Sequence, residues 1–277
     1  TGTTVDDRVR ASRSGVSSDG TRYFAAITAP TSPSRAGSRA TRTRCGRSTS
    51  SAVAAARLQR EGADVVTGST HKTFYGTQRG VIGSRFTEDD TRFPFWEAVE
   101  RRAFPGAVSN HHLGTLLGLL MAAYEMNAFR DDYQQKVIGN AKAFARALAD
   151  CGLTVSGDPE VSYTETHQVL LEVGYSRGPE VARRLEDNDI IVNYQASPEE
   201  EGFTASGSLR MGVSEMTRFG MQPADFAELA ELIRDVIVDD ATVQPRVEQF
   251  RERFLEMQFC FNESEFEEQM ARLHDLV

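Results

Sequence analysis

Ala63-Asp-Val-Val-Thr-Gly-Ser-Thr-His-Lys72-Thr-Phe-Tyr-Gly-Thr-Gln-Arg-Gly80 is the stretch that decides how this chain is read. The β-branched run Val65, Val66 and Thr67 is that of a buried strand end, and it delivers one lysine into a loop of small and hydroxyl-bearing residues. Lysine is otherwise scarce: of 31 basic residues only Lys72, Lys136 and Lys142 are lysines. An amine at a strand end can form a Schiff base with a carbonyl compound once its pKa is lowered, and burial beside His71 would supply part of that shift. A surface lysine on a turn is the competing reading, so the surrounding chain has to decide.

Working outward, Gly80-Val-Ile-Gly83 is expected as a second short strand. Residues 93–99 are expected as a short helix, followed by the turn Phe104-Pro-Gly-Ala-Val-Ser-Asn-His-His112. Apolar residues recur at helical spacing over 113–129, with Asn110 as N-cap, and 131–150 continues as a second helix or a kinked extension that Gly152 closes. Beyond it, strands are expected at 166–173, 190–193 and 206–213. Helices are expected at 179–186, 223–238, 243–258 and 264–276, the last opened by a Ser264/Glu267 capping box. Alternation of this kind is the pattern of an α/β protein.

The composition narrows the function classes. At 277 residues and 40% hydrophobic content the chain can bury one large core or two modest ones. No apolar run reaches the ~18 residues of a membrane span, so no membrane partner is expected. Cys45, Cys151 and Cys260 are odd in number and lack C-x-x-C spacing, which argues against a disulfide framework and a metal cluster and makes a reducing cytoplasm the default. The net charge of −9 conceals a segment 1–60 with eleven Arg against three Asp, +8, which leaves −17 for residues 61–277. An acidic body of that size argues against nucleic acid as a partner. The Arg-, Ser- and Thr-rich residues 1–60 cannot bury enough apolar surface to offset chain entropy. A disordered basic arm, a transit-like peptide and out-of-frame translation of a GC-rich gene are three accounts of them; the abrupt change near Glu61 favours the third.

Several blocks together carry a family resemblance. Thr-Gly-Ser-Thr-His71-Lys72-Thr resembles the Thr-rich His-Lys-Thr motif that holds the cofactor lysine of serine hydroxymethyltransferases, pyridoxal-phosphate enzymes of fold type I. Ala205-Ser-Gly-Ser-Leu-Arg210-Met-Gly-Val-Ser-Glu-Met-Thr-Arg218-Phe-Gly220 is similar to that family's Thr-Ser-Gly-Ile-Arg-x-Gly-Thr…Thr-x-Arg-Gly segment. Phe104-Pro-Gly106, Thr164-Glu-Thr-His167 and Val192-Asn193 agree with blocks between, and the similarity runs in order over residues 61–240. It implies the C-terminal part of the cofactor-binding large domain over 61–150 and a small α/β C-terminal domain with a helical end over 151–277.

By this resemblance Lys72 would bind the aldehyde of pyridoxal phosphate, with Thr70 and His71 lying against the cofactor and guiding proton movement. Arg210 would hold the substrate amino acid's carboxylate through the two parallel hydrogen bonds a guanidinium offers. Arg79 and Gly80 would lie near the cofactor, and Ser109 and Asn110 would reach its phosphate at a helix N-terminus. His167 precedes a strand and is equally read as a satisfied core histidine. No metal ligand is implied, and a homodimer is.

The chain also departs from the family. Where a Gly-Gly-Pro-His stretch is expected after Phe-Pro-Gly, it has Ala107-Val-Ser-Asn-His-His112. The segment near the folate's pterin is here Asn193-Tyr-Gln195-Ala-Ser-Pro198, which resembles the folate-independent L-threonine transaldolases and puts tetrahydrofolate in question. The Asp-x-x-His expected one unit before the lysine falls at Thr43-Arg-Cys-Gly46, where neither group stands. Three functions follow: an aldol-type enzyme that makes or breaks the Cα–Cβ bond of a β-hydroxy amino acid, as glycine hydroxymethyltransferases do; a folate-independent threonine transaldolase or aldolase; or a catalytically incomplete chain serving as a structural or pairing module.

Overall fold

The computed structural model describes residues 15–16, 22–26, 62–110, 112–197 and 205–275. The expectations for Thr43 to Gly46, and for residues 1–60 apart from two short strands, lie outside the described residues. The chain divides into two compact units, Thr1–Ala128 and Phe129–Val277.

In the first unit β1 (Gly15–Val16), β2 (Arg22–Ala26), β3 (Val65–Ser69) and β4 (Gly80–Ser84) form an antiparallel sheet of order β1-β2-β4-β3. β3 and β4 are a hairpin in register from Val65 opposite Ser84 to Ser69 opposite Gly80, and the loop between them carries Lys72. β3 begins at the β-branched run itself, and it is not buried as expected: Thr67 and Gly68 are exposed. Among the described residues it is the outermost strand and pairs on one side only, so the β-branched run sits at the edge of the described sheet. α1 (Phe93–Arg101) seats Trp96 at 0% exposure and runs into a wide turn, Arg102–Ala107. Arg92, just ahead of α1, is held by Asp90 and Asp64 at 2.9 and 2.6 Å and stacks on the Phe86 ring.

α2 (Leu113–Asp150) is one continuous helix where a second helix or a kink at 130 was open. Phe129, Arg130 and Asp131 contain no Pro or Gly to break the ladder, and Lys136 pairs with Asp132 one turn earlier at 3.2 Å. Its first turn closes on the His112 carbonyl, which accepts from Leu116 N–H at 3.1 Å, so the helix enters two residues after the expected cap Asn110. Its end is as expected: Gly152 takes φ +83°, and the Gly152 and Leu153 amides return to Ala149 and Leu148.

In the second unit β5 (Thr154–Val155), β6 (Gln168–Glu172), β7 (Asn193–Gln195) and β8 (Ser208–Gly212) form an antiparallel sheet of order β5-β6-β8-β7. α3 (Gly178–Glu186) packs on β7 and on α5 (Pro223–Val238), which buries Phe226, Ala230, Leu232, Ile233 and Val236. α4 (Ser214–Arg218), α6 (Gln244–Arg251) and α7 (Glu263–His274) complete the unit. Three local expectations shift. The strand expected at 190–193 begins only at Asn193, because Asp189 is left-handed at φ 62° and Ile190 N–H folds back to Leu185 O, using those residues to leave α3. α6 stops at Arg251, since the Arg253 and Phe254 amides close tight turns onto Phe250 and Arg251. α7 is capped by Asn262 with Glu265, not by Ser264 with Glu267; the Ser264 hydroxyl donates to Asn262 instead.

Among the described residues no helix is long and apolar enough to cross a membrane.

Candidate functional site

The Lys72 loop is built around a buried hydroxyl. Thr70, 5% exposed, donates through Oγ1 to Thr77 O at 2.7 Å and Arg79 O at 3.1 Å, while its amide donates to Arg79 O at 3.0 Å. Tyr75 N–H reaches Lys72 O at 2.8 Å from a left-handed φ of 44°, and Gly76 N–H reaches Thr70 O at 2.7 Å. A Cβ at Gly76 would meet Thr70 O at 2.9 Å and Leu119 Cδ1 at 3.0 Å, so only glycine permits this closure.

The loop buries Thr70 and Phe74 and turns His71 and Lys72, which lie between them, outward. The expected burial of Lys72 and His71 is therefore corrected: both are exposed, and the side-chain amine of Lys72 makes no hydrogen bond or ion pair with a described residue. Thr70's hydroxyl hydrogen is engaged by the loop's own carbonyls. Arg79 is half-buried; its Nη1 donates to Gln78 O at 2.9 Å and its Nε is buried without a hydrogen bond. Gly80 opens β4.

The loop rests on the start of α2. Thr77 Oγ1 donates to Thr115 O at 2.7 Å, and Thr115 Oγ1 to His112 O at 2.9 Å. Gly118 presents no side chain to Thr77; a Cβ there would lie 2.7 Å from the Thr77 methyl. Ser109 and Asn110, just before this helix, are exposed. The lysine loop and the Ser109 turn thus belong to one unit.

Arg210 belongs to the other unit. It lies on β8 between Leu170 of β6 and Asn193 of β7, and it lines a cleft of about 390 Å³ with Asn193, Asp189, Glu215 and Arg251. Its guanidinium, half-exposed, forms no hydrogen bond or ion pair with a described residue, so its full donor fork is open to a carboxylate. His167 holds the strand's far end through its backbone, its carbonyl accepting from Val213 N–H at 3.1 Å.

A buried network then secures the exit from β8. Asn140 of α2, 2% exposed, donates to Thr217 Oγ1 and to Met221 O, both at 2.9 Å, and Thr217 Oγ1 donates to Val213 O at 2.7 Å. Tyr133 donates to Ser214 O at 3.2 Å, and burial pushes its phenol up to about 12.

Neither the Thr77–Thr115 clamp nor the Asn140–Thr217 network is foreseen by sequence reasoning. The only local signals are hydroxyls in a glycine-containing loop and a polar residue on an otherwise apolar helix stripe.

These residues fit an aldehyde cofactor bearing an anionic group. An aldehyde needs an amine it can reach, which exposed Lys72 provides, and an anion needs polar donors near it, which the exposed Ser109 and Asn110 offer in the same unit. Comparison with known proteins agrees in kind. A family model described as Serine hydroxymethyltransferase matches residues 50–233. The serine hydroxymethyltransferase of Archaeoglobus fulgidus is 42% identical over 212 residues, covering 74% of this chain and 47% of that protein. That of Korarchaeum cryptofilum is 41% identical over 211 residues, covering 73% and 47%. Among solved structures, L-threonine transaldolase from Pseudomonas fluorescens superposes with a TM-score of 0.68 at 30% identity, covering 77% of this chain and 48% of that one. The chain spans about half the length of the curated relatives it matches.

Proposed function

Because the chain belongs to the serine hydroxymethyltransferase family, a fold type I α/β family, we propose that it acts in pyridoxal-phosphate-dependent chemistry of aldol type, making or breaking the Cα–Cβ bond of a β-hydroxy amino acid. The observation that carries this is an exposed Lys72 amine, without a hydrogen bond or ion pair to a described residue, on a loop closed on itself from Thr70 to Arg79. Pyridoxal phosphate, when bound, supplies an electron-withdrawing ring that stabilises the negative charge left at Cα. Lys72 holds the aldehyde through its amine, Arg79 and the Gly80 amide lie beside it, and Ser109 and Asn110 donate to the phosphate. Arg210 binds the amino acid's carboxylate with two parallel hydrogen bonds, and so fixes which bond at Cα is presented for cleavage. Thr70 serves the loop's closure, and His71 remains beside the amine as the nearest titratable side chain in sequence. A homodimer and a cytoplasmic setting complete the proposal.

The test is a titration of the purified chain with pyridoxal phosphate, following the long-wavelength absorbance of lysine-bound cofactor. The band is expected in the wild type and in Lys136→Ala, and lost in Lys72→Ala. A wild-type chain with no band refutes the proposal and leaves a structural or pairing role.

The structural likeness to an L-threonine transaldolase favours a second reading within the same chemistry, aldehyde exchange without tetrahydrofolate. Threonine and an aldehyde supplied without folate then release acetaldehyde; a strict folate requirement selects hydroxymethyl transfer instead.

A further inference from the structure

The geometry points to Thr77 as a positioning residue for Lys72: through a ladder of threonine hydroxyls it docks the lysine loop on the first turns of α2, so that the helix sets where the amine stands. This rests on the proposed role of Lys72 as the cofactor-binding amine.

The ladder is continuous. Thr70 Oγ1 donates to Thr77 O at 2.7 Å, Thr77 Oγ1 to Thr115 O at 2.7 Å, and Thr115 Oγ1 to His112 O at 2.9 Å. The first bond closes the loop on itself two residues before Lys72. The second is the loop's tie to another element, across 38 positions of sequence. The third ties the helix start to the residue that follows the Ser109 turn. Among the described residues β3 is an outermost strand with exposed positions, and the bond from Thr77 to Thr115 gives the tip a hold on α2 that this strand pairing does not supply.

Thr77 does this with both branches of its side chain. Its hydroxyl makes the bond to α2, and its methyl occupies the space Gly118 leaves open, where a Cβ would come within 2.7 Å. Gly76 makes the same kind of approach possible one residue earlier, facing Leu119. Two glycines and one β-branched hydroxyl residue thus meet along a single seam between loop and helix. An amine that must meet a cofactor aldehyde gains from a tip held in one place, because a loop free to sample other positions binds only in the fraction of time it is competent.

The experiment measures pyridoxal-phosphate affinity from the lysine-bound absorbance, alongside melting temperature, for wild type, Thr77→Val, Thr77→Ser and Gly118→Ala. Valine keeps the methyl and loses the donor, and affinity is expected to fall about tenfold, the upper end of what one half-buried hydrogen bond contributes to the bound geometry. Serine keeps the donor and is expected to stay within about threefold of wild type. Gly118→Ala leaves Thr77 intact and improves helix propensity, yet pushes a methyl into Thr77; it is expected to weaken capture about as much as Thr77→Val without loss of helix signal. A purely structural role lowers the Thr77→Val melting temperature and leaves affinity where it was. Affinity within twofold of wild type in both Thr77→Val and Gly118→Ala overturns the inference, as does serine falling as far as valine. If Thr77→Val does not fold, Gly118→Ala decides alone by the same twofold criterion. A wild type that shows no band removes the role of Lys72 first and the positioning role with it.

Discussion

Replacing Asn140 by alanine cuts the network that anchors the exit from β8, and its cost can be worked from the structure. Asn140 is 2% exposed, and both hydrogens of its amide are used, toward Thr217 Oγ1 and Met221 O at 2.9 Å each. Thr217 keeps a role after the loss, since its own hydroxyl still donates to Val213 O at 2.7 Å. The Met221 carbonyl, on a residue at 0% exposure, is left without its donor. Two hydrogen bonds at about 1 kcal/mol each, plus about 1 kcal/mol or more for the stranded carbonyl, put the loss near 3 kcal/mol. With a urea slope of roughly 2 kcal/mol per molar, the unfolding midpoint should fall by about 1.5 M. Far-UV circular dichroism is the suitable signal, because the chain's single tryptophan, Trp96, lies in the first unit and Asn140 in the second. Combined with Thr217→Val, the double variant should lose less than the sum of the singles, by about 0.5 kcal/mol or more, since both act on one network. A midpoint shift below about 0.3 M with an unchanged slope would refute the assignment of this amide as the anchor.

Two further outcomes follow from single residues. Tyr133, whose phenol is raised from 10.0 to about 12 by burial, keeps its proton in the folded chain at pH values where the unfolded chain has lost it. Its contribution is therefore whole below pH ~10 and disappears between ~10 and ~12, a fall of roughly 3 kcal/mol that Tyr133→Phe should abolish; equal urea-midpoint losses in both proteins from pH 9 to 12 would refute it. Gly157→Ala should destabilise by about 3 kcal/mol or more, because φ is +117° and the added carbon would sit 2.1 Å from the Tyr163 carbonyl oxygen, a backbone atom that cannot step aside. Gly152→Ala, at φ +83° with nothing within 4 Å, should cost only about 1 kcal/mol, and matching melting temperatures for the two variants would contradict this account.

What local chemistry dictates was legible in the residues themselves. The helix over Pro223–Val238 stands where its Pro start and apolar stripe place it, and Gly152 ends α2 because a left-handed residue after the last turn satisfies the helix's free carbonyls. β3 and β4 stand where two short strands were expected on either side of a hydroxyl-rich loop, though their pairing as a hairpin was not read, and Arg210 lies inside a strand because the run around it alternates.

Burial and partnership were not legible, because both depend on residues far along the chain. Lys72 was expected to be buried, since a β-branched run usually enters a covered sheet; here that run occupies the outermost of the described strands, and Thr70 and Phe74 take the interior positions on either side of Lys72. The bond from Thr77 to Thr115 spans 38 positions and that from Asn140 to Thr217 spans 77, separations over which no periodicity can announce a contact. The order of residues by itself determined which short segments curl or extend and which amine stands at a loop; only the tertiary structure decided which way that amine faces and what holds it there, because side-chain exposure is set by packing between segments that the chain alone leaves apart.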